Sequence, residues 1–139
     1  MAADRNPAAA PGLRVLIAED DEDMRSLLAM VLAGDGFAVD EVADGTALLE
    51  RFNAWRDGAA NEAPDIVVTD IQMPGLNGLG AVAQLRAWNP DVAVIIITAF
   101  GDARTHRRAR DLNVFAVLDK PFDLADFRAT VSDALDHAK

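Results

Sequence analysis

Apolar residues recur along the chain in short runs of strand length, at Leu13 to Ala18, Ile66 to Thr69, Val92 to Thr98 and Val114 to Leu118, with a weaker run at Ala38 to Val42. Val92 to Thr98 is nearly all apolar, as expected of a strand buried on both faces of a parallel sheet. Between the runs the apolar spacing lengthens to that of a helix. Met24, Leu27, Leu28, Val31 and Leu32 follow the i, i+3, i+4, i+7 pattern, with Asp20 or Asp21 at the capping position and Gly34 and Gly36 marking the end. Asp44-Gly45 opens a second helix carrying Leu48, Leu49 and Phe52, and Asn53 to Pro64 reads as a polar loop. Leu76 to Trp88 suits a third helix, stopped by Asn89-Pro90 because the residue before a proline disfavours helical angles. Asp102 to Leu112 reads as a short, Arg-rich helix. The last helix runs from Leu124 to His137, with Leu124, Phe127, Val131 and Leu135 on one stripe and Asp123 near its N-cap.

Five strands alternating with five helices predict an α/β fold with a doubly wound parallel sheet, because each pair of parallel neighbours needs a crossover helix. Residues 1–12, rich in Ala and Pro, are expected to form a flexible tail, which leaves residues 13–139 as one domain. With 139 residues, of which 51% are hydrophobic and 26% charged, the chain has the makings of a single packed core. Its net charge of -10 opposes docking on a phosphate backbone, so direct nucleic-acid binding is not expected. The absence of cysteine removes both disulfides and thiolate metal sites. No apolar run approaches the ~18 residues of a membrane span, and a cytoplasmic protein is expected.

Ligand sites in such sheets lie outside the carboxyl ends of the strands. What stands there is chemically distinctive: Glu19 and Asp20 after the first strand, Asp70 after the third, Thr98 at the end of the fourth and Lys120 past the fifth. Asp70 is expected to be exposed at its strand tip, since Ile71 to Gly78 is a turn that no helix or strand could cross uninterrupted. Carboxylates within ~4 Å repel by ~4 kcal/mol per pair at an effective dielectric near 20, so the cluster calls for a counter-charge. Hard oxygen ligands suit magnesium, with manganese as the alternative. Together these groups describe a phosphoryl-transfer site, with Asp70 as nucleophile, Lys120 as a point-charge phosphate binder and Thr98 as a hydroxyl donor.

The segment Asp70-Ile71-Gln72-Met73-Pro74-Gly75-Leu76-Asn77-Gly78, taken in order with Glu19-Asp20, Thr98 and Lys120-Pro121-Phe122, resembles the response-regulator receiver domain of two-component signalling, of the chemotaxis-regulator kind. The resemblance covers about Leu13 to His137. It implies a flavodoxin-like strand order 2-1-3-4-5 with five helices, Asp70 as phosphoacceptor, Thr98 as switch hydroxyl and Lys120 as phosphate-binding lysine. It further implies magnesium held by Glu19, Asp20, Asp70 and the backbone carbonyl of Gln72, and a cis peptide at Lys120-Pro121 that turns Lys120 toward the pocket. The phosphodonor it implies is a phosphohistidine on a sensor histidine kinase or a histidine phosphotransfer protein. The domain then acts as a switch rather than a turnover enzyme, in a phosphorelay.

Two features depart from the family pattern. Val117 stands where many receivers carry an aromatic residue, and Phe115, expected on the same strand face, is the candidate to replace it. Gln72 and Phe100 occupy the positions where the family tunes water attack on the acyl phosphate, and Phe100 predicts slow self-dephosphorylation. A hydrolase of the haloacid-dehalogenase kind is the enzymatic rival, disfavoured because Gln72 replaces its second acid. A receiver-like fold without phosphorylation is the other rival.

Plainer roles suit several residues. Asp21, Glu22 and Asp23 serve the helix N-terminus, and His137 the helix dipole. His106 reads as solvated surface, Trp55 and Trp88 as packing residues, and Met24, Met30 and Met73 as core or turn filling. Arg104, Arg107, Arg108 and Arg110 put dense positive charge on one helix of an acidic protein. A solvated face is the ordinary explanation. In receivers this helix and the last one belong to the output surface, so a downstream acidic protein is the alternative. Dimerisation, and whether the chain is a stand-alone regulator or part of a larger protein, stay open.

Overall fold

The computed structural model describes residues 13–58, 63–73, 78–99 and 101–138. The expected tail at 1–12, part of the loop before Pro64, the segment 74–77 and Phe100 lie outside the described residues, as does the His137 side chain. The elements follow in strict alternation: β1 (Arg14–Ala18), α1 (Glu22–Gly34), β2 (Ala38–Val42), α2 (Gly45–Asp57), β3 (Ile66–Asp70), α3 (Gly78–Trp88), β4 (Ala93–Thr98), α4 (Ala103–Asp111), β5 (Ala116–Asp119) and α5 (Leu124–Ala138). The five strands form one parallel sheet in the order β2-β1-β3-β4-β5, the flavodoxin-like arrangement with five helices.

Strand side chains alternate between the two faces, and this divides the core in two. Leu16, Val67, Val94 and Ile96 pack with Leu48, Phe52 and Trp55 of α2 and with Leu79, Val82 and Leu85 of α3. Val15, Ile17, Val68, Ile95 and Ile97 pack on the other side with Leu28 and Leu32 of α1 and with Phe127, Val131 and Leu135 of α5. Continuous apolar runs are therefore required in the central strands β3 and β4, which are covered on both faces.

Aspartates start three of the helices. Asp21 accepts from the Met24 N–H at 2.9 Å, Asp44 from Ala47 at 2.8 Å and Asp102 from Thr105 at 2.8 Å. Each satisfies a backbone donor that the first helical turn leaves without a partner. Of the two candidates before α1, Asp21 takes the cap, and Asp20 is left to the site.

The helix α2 corrects the expected loop from Asn53, since it continues to Asp57. Leu48, Phe52 and Trp55 share one face at i, i+4 and i+7, and the Phe52 and Trp55 rings lie 5.8 Å apart in the core. Trp55 and the half-buried Trp88 are packing residues, as expected. On α1 the apolar stripe is narrower than its sequence: Leu28, Ala29 and Leu32 are buried, whereas Leu27 is partly exposed and Met30 is 66% exposed. Met30 is thus not core filling, while Met73 is buried.

The expected strand from Val114 also begins later, at Ala116. The chain first makes a left-handed turn at Asn113, with φ 57°, a conformation asparagine tolerates better than most residues. Arg86 of α3 secures this turn, donating to the carbonyls of Leu112 and Asn113, both at 2.9 Å, and to those of Pro90 and Val92. Because Phe115 precedes the regular strand, it packs with the α1 and α5 layer while Val117 packs with the opposite one. The expectation that the two share a face is overturned.

Candidate functional site

Parallel register brings the chemistry-bearing residues to one edge. Ala18 pairs with Thr69, Asp70 with Ile97, and Thr98 with Asp119. Glu19, Asp70, Thr98 and Lys120 therefore leave adjacent strands at nearly the same level. The Lys120 N–H donates to the Thr98 carbonyl at 2.7 Å, and the Lys120-Pro121 peptide is cis.

The Lys120 ammonium donates to Glu19 Oε1 and to Asp70 Oδ2, each at 2.7 Å. The other Glu19 oxygen accepts from the Asp21 N–H at 3.1 Å, and Asp70 Oδ1 accepts from the Gln72 N–H at 2.7 Å. Glu19, Asp20 and Asp70 each offer one carboxylate oxygen within 4.8 Å of the others. Asp70 is only 4% exposed, Glu19 and Thr98 are fully buried, and Asp20 is exposed. The expected exposure of Asp70 is corrected: β3 lies between β1 and β4, and the Lys120 side chain lies against its carboxylate.

Burial pushes the Glu19 carboxyl up from its ordinary range, against the Lys120 ammonium and the Asp21 N–H that pull it down, with Asp70 adding to the rise. Burial alone would lower the Lys120 ammonium, but its bonds to Asp70 and Glu19 outweigh this and raise it. Lys120 is thus held charged between two anions.

The structure brings together Glu19, Asp20, Asp70 and Lys120 and places Thr98 beside them at the end of β4. Gln72 takes part through its N–H. Phe100, tied to the expected lifetime of an acyl phosphate, lies outside the described residues. His106 is not simply solvated, because its Nε2 stands 3.3 Å from Asp119 Oδ1 and links α4 to the end of β5. Sequence reasoning passed over Arg25, whose Nη1 donates to the Glu19 carbonyl at 3.0 Å and whose Nε stands 3.5 Å from Glu41 Oε1. The available signal was position, since a helical side chain leans toward the N-terminus and Arg25 lies one turn past Asp21.

Residues 15–132 match the family model described as response regulator receiver domain. The chain belongs to that family. The receiver is 33% identical over 123 residues to the DNA-binding transcriptional regulator NtrC of Escherichia coli (strain K12), covering 88% of this chain and 25% of that protein. It thus spans about a quarter of the length of the NtrC regulators it matches. With sporulation initiation phosphotransferase F of Bacillus subtilis (strain 168) the identity is 28% over 122 residues, covering 88% of this chain and 93% of that one. Among solved structures, the non-phosphorylated HemR receiver domain from Leptospira biflexa superposes with a TM-score of 0.77 at 26% identity, covering 88% of this receiver and 94% of that chain. A CheY-like receiver domain protein from Methanospirillum hungatei JF-1 reaches a TM-score of 0.81 at 20% identity, covering 91% and 95%, which speaks for the fold. Among the described residues, no helix of the receiver is long and apolar enough to cross a membrane.

Proposed function

We propose that Asp70 accepts a phosphoryl group from a phosphohistidine on a sensor kinase or phosphotransfer protein, and that the receiver works as a cytoplasmic switch in a phosphorelay rather than as a turnover enzyme. The observation that carries this reading is the Lys120 ammonium bonded at 2.7 Å to both Glu19 and Asp70 beside Asp20. A carboxylate oxygen of Asp70 attacks phosphorus, the bond from phosphorus to the imidazole nitrogen breaks, and the histidine side chain departs as an acyl phosphate forms. Lys120 offsets the negative charge of the incoming group, and the Thr98 hydroxyl donates to one of its oxygens. Positioning and electrostatic stabilisation of this kind dominate catalysis of phosphoryl transfer.

Three carboxylates with oxygens within 4.8 Å of one another form a hard-oxygen donor set, which fits magnesium or manganese. Glu19, Asp20, Asp70 and the Gln72 carbonyl would hold the ion, which supplies positive charge to the phosphoryl oxygens when bound.

Incubation with phosphoramidate and magnesium, read by intact mass, is expected to add one phosphoryl group to the wild type and none to Asp70→Asn. Following the decay of that adduct beside Phe100→Glu is expected to show the slower loss in the wild type. An unmodified wild type, or multiple turnover on a phosphomonoester, would replace this reading.

All four arginines of α4 are exposed, and the helix buries only Ala109. This supports an acidic downstream protein docking on α4 and α5. Reversing Arg107 and Arg108 to Glu should weaken that complex most at low salt, where charge attraction is least screened. Equal affinities of variant and wild type at low ionic strength would dismiss the surface.

A further inference from the structure

On the reading that Asp70 works with a divalent cation, we propose that Arg25 is a positioning residue for that cation: its guanidinium fixes the peptide joining Glu19 to Asp20 and so aims the Asp20 carboxylate at Asp70. The Arg25 Nη1 donates to the Glu19 carbonyl oxygen at 3.0 Å. That carbonyl and the Asp20 nitrogen belong to one planar peptide, so holding the oxygen sets the direction in which the chain enters Asp20. Glu19 itself is secured separately. Its N–H donates to the Val42 carbonyl at 3.1 Å, and its two carboxylate oxygens accept from Lys120 and from the Asp21 N–H. Arg25 therefore acts on the one part of this turn that leads to the exposed acid of the cluster.

Its placement is otherwise unfavourable. A cation four residues past the N-cap Asp21 sits near the positive end of the α1 dipole, where acids are preferred. Glu41 near the end of β2, 3.5 Å from Arg25 Nε, compensates and anchors the guanidinium at a second nitrogen. A guanidinium presents several donors in a rigid fork and can hold a carbonyl and a carboxylate at once, which an ammonium does less well.

Charge and positioning predict opposite signs. Removing a cation beside a divalent-ion site should tighten the ion's binding by Coulomb's law alone, whereas losing a positioning bond should weaken it. Titration of the unphosphorylated full chain with magnesium by calorimetry separates the two. The Arg25→Met variant, which keeps the apolar stem, is expected to raise the magnesium Kd about tenfold or more. Arg25→Lys, retaining one donor for the Glu19 carbonyl, should recover part of the loss. Asp20→Asn, expected to bind most weakly, locates the measured heat at the acidic cluster.

A magnesium Kd for Arg25→Met equal to or tighter than that of the wild type overturns the proposal. A wild type that takes up no magnesium fails the underlying reading instead, and the two results are distinct. Thermal unfolding in chelator establishes that Arg25→Met is folded. Should it not be, Arg25→Gln, too short to reach the carbonyl, is titrated under the same two outcomes.

Discussion

Lys120→Met is expected to lose about 3 kcal/mol of stability in the absence of divalent ions, a fall of roughly 10 °C in Tm. The ammonium is bonded at 2.7 Å to two carboxylates, one fully buried and the other nearly so. Without it, Glu19 and Asp70 face each other with no cation between them. Breaking a buried pair costs far more than the pair is worth, because the remaining charge keeps its desolvation penalty. Burial, which already pushes the Glu19 carboxyl up, then acts without the opposing pull of the Lys120 ammonium. Millimolar magnesium should stabilise the variant more than it stabilises the wild type, because binding to the native state adds to its stability in proportion to affinity. Thermal unfolding of both proteins with and without chelator checks this. A Lys120→Met protein as stable as the wild type would mean that the acidic cluster does not bear the strain its geometry implies.

Gly78→Ala is expected to cost about 2 kcal/mol or more. A Cβ at the first residue of α3 would fall inside van der Waals contact of the Ile71 Cα, Cβ and carbonyl oxygen. Backbone atoms cannot swing aside as a flexible side chain does, so either α3 shifts or the stretch after β3 does. Ile71 lies between Asp70 and Gln72, and the Gln72 N–H holds Asp70 Oδ1. The substitution should therefore disturb the site as well as the fold. Denaturant unfolding gives the stability change, and the phosphoramidate reaction gives a phosphorylation rate below that of the wild type. Gly34→Ala is the matched control, because a Cβ there meets nothing within 4 Å. Equal losses at 78 and 34 would remove the steric explanation.

The fold was legible because its signals are local and agree with one another. Short apolar runs separated by helical spacing leave little choice but a parallel sheet with crossovers, and aspartates before α1, α2 and α4 name their own starts. The polar appearance of Asn53 to Pro64 hid the end of α2, although Leu48, Phe52 and Trp55 already stood on one face. Phe115 misled for a different reason. Alternation applies only inside a strand, and the Asn113 turn delays the start of β5 to Ala116.

At the site, the order of residue types along the chain was enough to name Glu19, Asp20, Asp70, Thr98 and Lys120, because each closes or follows a strand and ligand sites gather at that edge. Burial was not legible in the same way. Whether Asp70 is exposed depends on strands and a lysine that arrive from far along the chain, and only the assembled sheet brings them there. The same holds for Arg25 on the Glu19 carbonyl, for Arg86 across two loops, for His106 against Asp119, and for Asp35 bonded to Arg128 between α1 and α5. By itself, then, the sequence determined the elements, their alternation and the inventory of reactive groups, since these follow from local spacing and side-chain chemistry. Tertiary structure alone decided which groups are buried and which polar atoms meet, because hydrogen bonds and desolvation depend on distances in space that sequence separation does not encode.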